Sequence, residues 1–66
     1  MKNSIKVERA IKAMTQEELA QQVSVSRQTI NAIEANKYVP STVLALKIAR
    51  TFSKSVEEIF KLEESD

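Results

Sequence analysis

Apolar residues recur along the chain at spacings of three and four, interrupted by short polar intervals, and this pattern predicts five helices in succession. Asn3 or Ser4 caps a first helix running to about Met14, with Ile5, Ala10, Ile11 and Met14 on its buried side. Thr15 caps the second helix, and Glu18 completes a Thr-x-x-Glu capping box, in which each side chain takes one orphan amide hydrogen. Leu19, Ala20 and Val23 form the apolar stripe of that helix. Val25 lies in a tight corner, and Ser26 caps a third helix that carries Ile30 and Ile33 and ends near Ala35. Pro40 lacks an amide hydrogen and drives Val39 out of helical geometry, so residues 36–40 form a loop. Ser41 opens the fourth helix, with Leu44, Ile48 and Phe52 in line and Ala45 and Ala49 permitting close contact. Ser55-Val-Glu-Glu58 is a second capping box, opening a short fifth helix with Val56, Ile59 and Phe60. The tail from Lys61 to Asp66 is polar except for Leu62, and no strand pattern or internal repeat competes with an all-α class.

Two short helices joined by a tight corner have the shape of a DNA-reading unit, which makes the outward face of the third helix the deciding feature. At about 100° per residue, Gln28, Asn31, Ala32 and Ala35 point away from Ile30 and Ile33, with Arg27 at the edge. Gln and Asn can bond adenine through two hydrogen bonds, and Arg can do the same to guanine. Small side chains let a helix backbone settle into the major groove. The competing reading is a plain solvated face, although such faces more often carry Glu and Lys, which pair along a helix.

With 66 residues the chain is expected to be one domain, 1–66, near the lower limit for a core held without staples. It has no cysteine and no histidine, which removes disulfides, thiolate nucleophiles, imidazole bases and the usual zinc ligands. No enzyme, metal centre, cofactor or small-molecule pocket is expected from what remains. The first residues lack the apolar core of a signal peptide, and no apolar run matches a bilayer, so a cytoplasmic protein is expected. The net charge of +1 hides a segregation. Residues 1–54 hold nine Lys or Arg against four Glu, a balance of +5, whereas residues 55–66 hold one Lys against five acids, a balance of −4. A basic body with an acidic end suits a protein that meets a polyanion on one side, the alternative being ordinary surface charge.

The run TQEELAQQVSVSRQTINAIEANKYVPS, continuing into LALKIARTFSKSVEEIF, resembles the Cro and phage-repressor type of helix-turn-helix regulator, the xenobiotic-response-element family. The resemblance covers nearly the whole chain and is greatest to small stand-alone members, some of which act as dimeric repressors. It implies a five-helix repressor-like domain in which Gln16 approaches a phosphate at the start of the second helix. It places Arg27 and Gln28 at the leading base-contact positions and Asn31 and Ala32 on the next turn. Ser26 belongs to the same DNA-facing set, and Thr29 lies where a hydroxyl reaches the DNA backbone. Asn36, Lys37 and Tyr38 occupy the loop that clamps a phosphate in relatives. Tyr38 can instead pack on the core edge, and Lys37 can be a solvated charge. Arg9 and Glu34 match a structural ion pair.

Relatives place glycine after the first, third and fourth helices and in the corner, where left-handed backbone is convenient. This chain contains no glycine, and Ala13, Ser24, Asn36 and Ser53 stand at those places. In relatives the two ends also pair as a small two-stranded sheet, which implies Lys2-Asn3 against Lys61 to Glu63, although the residues themselves do not show it.

The expected function is therefore that of a transcriptional regulator, a repressor that binds duplex DNA as a homodimer on a palindromic operator. Two related helices read half-sites about 34 Å apart, where one helix offers limited specificity. Val56, Ile59, Phe60 and Leu62 are the candidate dimer surface, with ordinary core as their other reading. An antitoxin or partner-binding adaptor on the same fold is the alternative function.

Overall fold

The structure is a computed structural model that describes residues 1–66. It contains five helices and a small two-stranded sheet. In chain order these are β1 (Lys2–Asn3), α1 (Ile5–Ile11), α2 (Gln16–Val23), α3 (Arg27–Glu34), α4 (Thr42–Thr51), α5 (Val56–Ile59) and β2 (Phe60–Lys61). The strands are antiparallel, with Lys2 opposite Lys61 and Asn3 opposite Phe60.

Both capping boxes form. Thr15 Oγ1 accepts from the Glu18 amide at 3.0 Å while Glu18 Oε1 accepts from the Thr15 amide at 2.9 Å, and Ser55 with Glu58 repeats the arrangement. Ser26 and Ser41 cap α3 and α4 through their hydroxyls. The helix ends share a second device. Ala13, Ser24, Asn36 and Ser53 have φ of 51°, 61°, 60° and 55°, the left-handed region, which Asn tolerates and which costs Ala and Ser about 1 kcal/mol or more. After each of them the next amide reaches back five residues. Met14 bonds the Arg9 carbonyl at 2.8 Å, Val25 that of Ala20 at 3.0 Å, Lys37 that of Ala32 at 2.9 Å and Lys54 that of Ala49 at 3.0 Å. This bond satisfies a carbonyl that the helix end would otherwise leave free, and it turns the chain sharply.

Thirteen apolar residues form the buried core, in which Ile5, Leu19, Ile30, Ile33, Ile48 and Ile59 are sealed from solvent. α2 packs on α3 and α4, and α4 packs on α5. The first helix departs from expectation. It ends at Ile11 because Ala13 turns left-handed, and Ala10 and Ile11 are exposed, Ile11 by 71%. Its inner face carries Ile5, as expected, together with Glu8, and Met14 packs half-buried against the core. Glu8 Oε2 accepts from Lys54 Nζ at 2.8 Å, which holds the lysine above its ordinary pKa and compensates the covered carboxylate. At the other end Phe60 leaves the helical path and enters β2, so the strand lies one residue earlier than Lys61 to Glu63.

Candidate nucleic-acid interface

The corner between α2 and α3 depends on three residues. Left-handed Ser24 reverses the chain, Val25 packs against the core from a half-buried position, and extended Ser26 starts α3. The Ser26 hydroxyl accepts from the Thr29 amide at 3.2 Å and lies 3.0 Å from the Thr29 hydroxyl, so these two side chains fix one another at the front of the helix. Ile30 and Ile33 anchor α3 in the core. Arg27, Gln28 and Asn31 are exposed on its other side, and Ala32 and Thr29 are half-buried. None of Arg27, Gln28 and Asn31 makes a side-chain hydrogen bond within the chain, so their donors and acceptors face solvent.

The orientation of α3 is fixed from behind. Arg9 of α1 donates through Nε and Nη2 to the two carboxylate oxygens of Glu34, at 2.6 and 3.0 Å, and through Nη1 to the Met14 carbonyl at 2.9 Å. The paired carboxylate raises the Arg9 pKa above its ordinary value, so the guanidinium stays charged. Gln16 Nε2 donates to Glu34 Oε1 at 3.1 Å. Arg9 and Gln16 thereby join the last turn of α1 and the start of α2 to the end of α3.

Past α3, Asn36, Lys37 and Tyr38 are all exposed, with about half of the Tyr38 side chain open to solvent. The ring borders a shallow cleft with Asn3, Pro40 and Phe60 rather than filling the core. None of the four ion pairs involves Arg27 or Lys37. Of the four acids in residues 1–54, Glu8 and Glu34 are paired and Glu18 closes a capping box, leaving Glu17 alone without such a contact.

The expected dimer residues separate into two groups. Ile59 and Phe60 are core residues of the chain itself, because the sealed Ile59 ends α5 and Phe60 faces inward from β2. Val56 is half-buried and Leu62 is 82% exposed. A surface not expected from the sequence lies beside Val56, where Val43 and Leu46 of α4 are exposed along an open groove. Lys47 and Arg50 border this groove on α4, and Glu57 and Glu58 border it on α5. The signal was present in the spacing of Val43 and Leu46, one position off the buried stripe of α4.

Residues 5–59 match the family model described as helix-turn-helix. The chain is 52% identical over 66 residues to an uncharacterized HTH-type transcriptional regulator of Methanocaldococcus jannaschii, covering 100% of each. It is 50% identical, again over the full length of both, to the uncharacterized HTH-type transcriptional regulator YgzD of Bacillus subtilis. Among solved structures it is similar to the clp gene regulator ClgR from Corynebacterium glutamicum, with a TM-score of 0.77 and 25% identity, covering 83% of this chain and 58% of that one. A hypothetical transcription factor from Neisseria shares the fold with a TM-score of 0.76 at 24% identity, and the alignment covers 82% of this chain and 61% of that one.

Proposed function

The chain belongs to the helix-turn-helix family of transcriptional regulators, and we infer that it is a repressor, its residues 1–66 acting as one domain that binds a palindromic operator as a homodimer. The observation that carries this reading is the outer side of α3, where Arg27, Gln28 and Asn31 hold unbonded polar groups on a helix fixed by Ser26 in front and Glu34 behind. Arg27, Gln28, Asn31 and Ala32 read base edges. Ser26, Thr29, Asn36, Lys37 and Tyr38 serve the phosphate backbone, which fixes register without specifying sequence. Gln16, at the start of α2 and held by Glu34, approaches a phosphate as well.

A second copy completes the reader. One α3 spans too few base pairs for high specificity, whereas a two-fold pair reads half-sites about 34 Å apart. The groove of Val43, Leu46 and Val56 supports such a pairing, since a two-fold axis along the groove sets its basic α4 border against the acidic α5 border of the partner. Selection of bound molecules from a random duplex library tests the reading. A palindromic consensus with half-sites about one helical turn apart is the expected result, and failure to enrich any sequence would contradict it.

A further inference from the structure

Asn3 lies outside every DNA-facing element, yet its side chain is hydrogen-bonded at both ends. Its Oδ1 accepts from the Ile5 amide at 3.2 Å, at the start of α1. Its Nδ2 donates to the Ile33 carbonyl at 2.9 Å, in the last turn of α3, and to Asn36 Oδ1 at 3.1 Å. The main chain on either side is also held, with Asn3 opposite Phe60 and the Ser4 amide bonded to the Ile59 carbonyl at 2.9 Å. The polarity of this chain of bonds is fixed by its two backbone partners. An amide hydrogen at Ile5 requires an oxygen, and a carbonyl at Ile33 requires a nitrogen, so the Asn3 amide has one orientation. Its second N–H then requires an oxygen from Asn36. That leaves the Nδ2 of exposed Asn36 as the end free to donate outward.

We propose that Asn3 is a positioning residue for DNA binding, turning the Asn36 amide so that its NH₂ group meets a phosphate. The inference rests on the DNA-binding reading above and adds a residue from the opposite end of the chain. Asn36 has φ of 60° and its own amide bonds the same Ile33 carbonyl at 3.0 Å, so Asn3 and the left-handed turn converge on one acceptor. A phosphate then meets a donor already oriented, without loss of side-chain freedom on binding.

The test uses the full chain and a mixed-sequence duplex of about 30 base pairs, because phosphate contacts do not depend on sequence. Affinity is measured for the unaltered chain, Asn3→Ala, Asn36→Gly and the double variant, at temperatures where circular dichroism shows each fully folded. Asn36→Gly removes the amide while keeping the positive φ comfortable. Each single change is expected to weaken binding about tenfold, the usual loss of a hydrogen bond to a charged group, with the double variant no weaker than either. Full-strength binding by folded Asn3→Ala, or losses that multiply in the double variant, would overturn the inference while leaving the DNA-binding reading intact. No salt-dependent binding by the unaltered chain would overturn both. Asn3→Asp keeps the acceptor for Ile5 and guards against a folding failure of the alanine variant. It is expected to weaken the unaltered chain but not Asn36→Gly, and equal weakening of both would show charge repulsion in place of positioning.

Discussion

The two carboxylate oxygens of Glu34 hold one edge of the Arg9 guanidinium, its Nε and Nη2, and only 14% of the arginine side chain and 8% of the glutamate side chain remain exposed. Glu34→Ala leaves a covered cation without its counter-charge, a change expected to destabilise the fold by about 3 kcal/mol, against about 1 kcal/mol or less for an exposed pair. Chemical denaturation of Arg9→Ala, Glu34→Ala and the double variant, at equal protein concentration, checks this. Negligible coupling between the two sites would contradict it.

Ser24 has φ of 61° without the freedom of glycine. Ser24→Gly is expected to stabilise the protein by a few tenths to about 1 kcal/mol, since relief of the left-handed strain exceeds the entropy glycine adds to the unfolded chain. DNA affinity should stay the same, because the angle between α2 and α3 is retained. Denaturation midpoints compared at equal concentration give the answer, and a clear loss of stability would contradict the strain.

Glu18 and Glu58 accept the amide hydrogens of Thr15 and Ser55, and these backbone bonds draw both carboxyls below their ordinary value of 4.5. A carboxyl depressed in the folded state contributes its full stability above the unfolded value, and that contribution disappears as pH falls through the lower folded value. Stability should therefore drop on acidification below about 4.5. The variant Glu18→Gln with Glu58→Gln keeps an acceptor at each cap but does not titrate, and should lose less over that interval. Denaturation at a series of acidic pH values measures the difference, and identical acid losses in the two proteins would contradict it.

What was legible in the sequence was local. Thr15 with Glu18 and Ser55 with Glu58 form boxes because their partners are three residues apart, and Pro40 excludes helix by its own geometry. The four left-handed residues were legible only through resemblance, from places where relatives carry glycine. What was not legible depends on partners far along the chain. Glu8 is covered and compensated by Lys54, which meets it from 46 residues away. Gln16 turns to Glu34, 18 residues on, and Asn3 to Ile33, 30 residues on. Phe60 reads as helix by spacing but is drawn into β2 by pairing with Asn3.

The groove on α4 and α5 should govern association. Leu46→Glu places a charge in the groove that Val43 and Val56 also line and is expected to abolish the proposed pairing, leaving a monomer in sedimentation with little effect on the helical content of the chain. Leu62→Glu, at a position 82% exposed and outside the groove, should leave association unchanged. A dimer that survives the Leu46 change and dissociates on the Leu62 change would assign the interface to the tail.

In the proposed complex α3 reads bases while the loop after it holds phosphate. Affinities of the unaltered chain, Gln28→Ala and Lys37→Ala for the selected sequence and for mixed-sequence duplex, each over a range of salt, separate these two roles. Gln28→Ala should lose about 1–3 kcal/mol on the selected sequence and almost nothing on mixed DNA. Lys37→Ala should weaken both and lower the salt slope by about one unit. Equal losses by Gln28→Ala on the two duplexes would contradict base reading by α3.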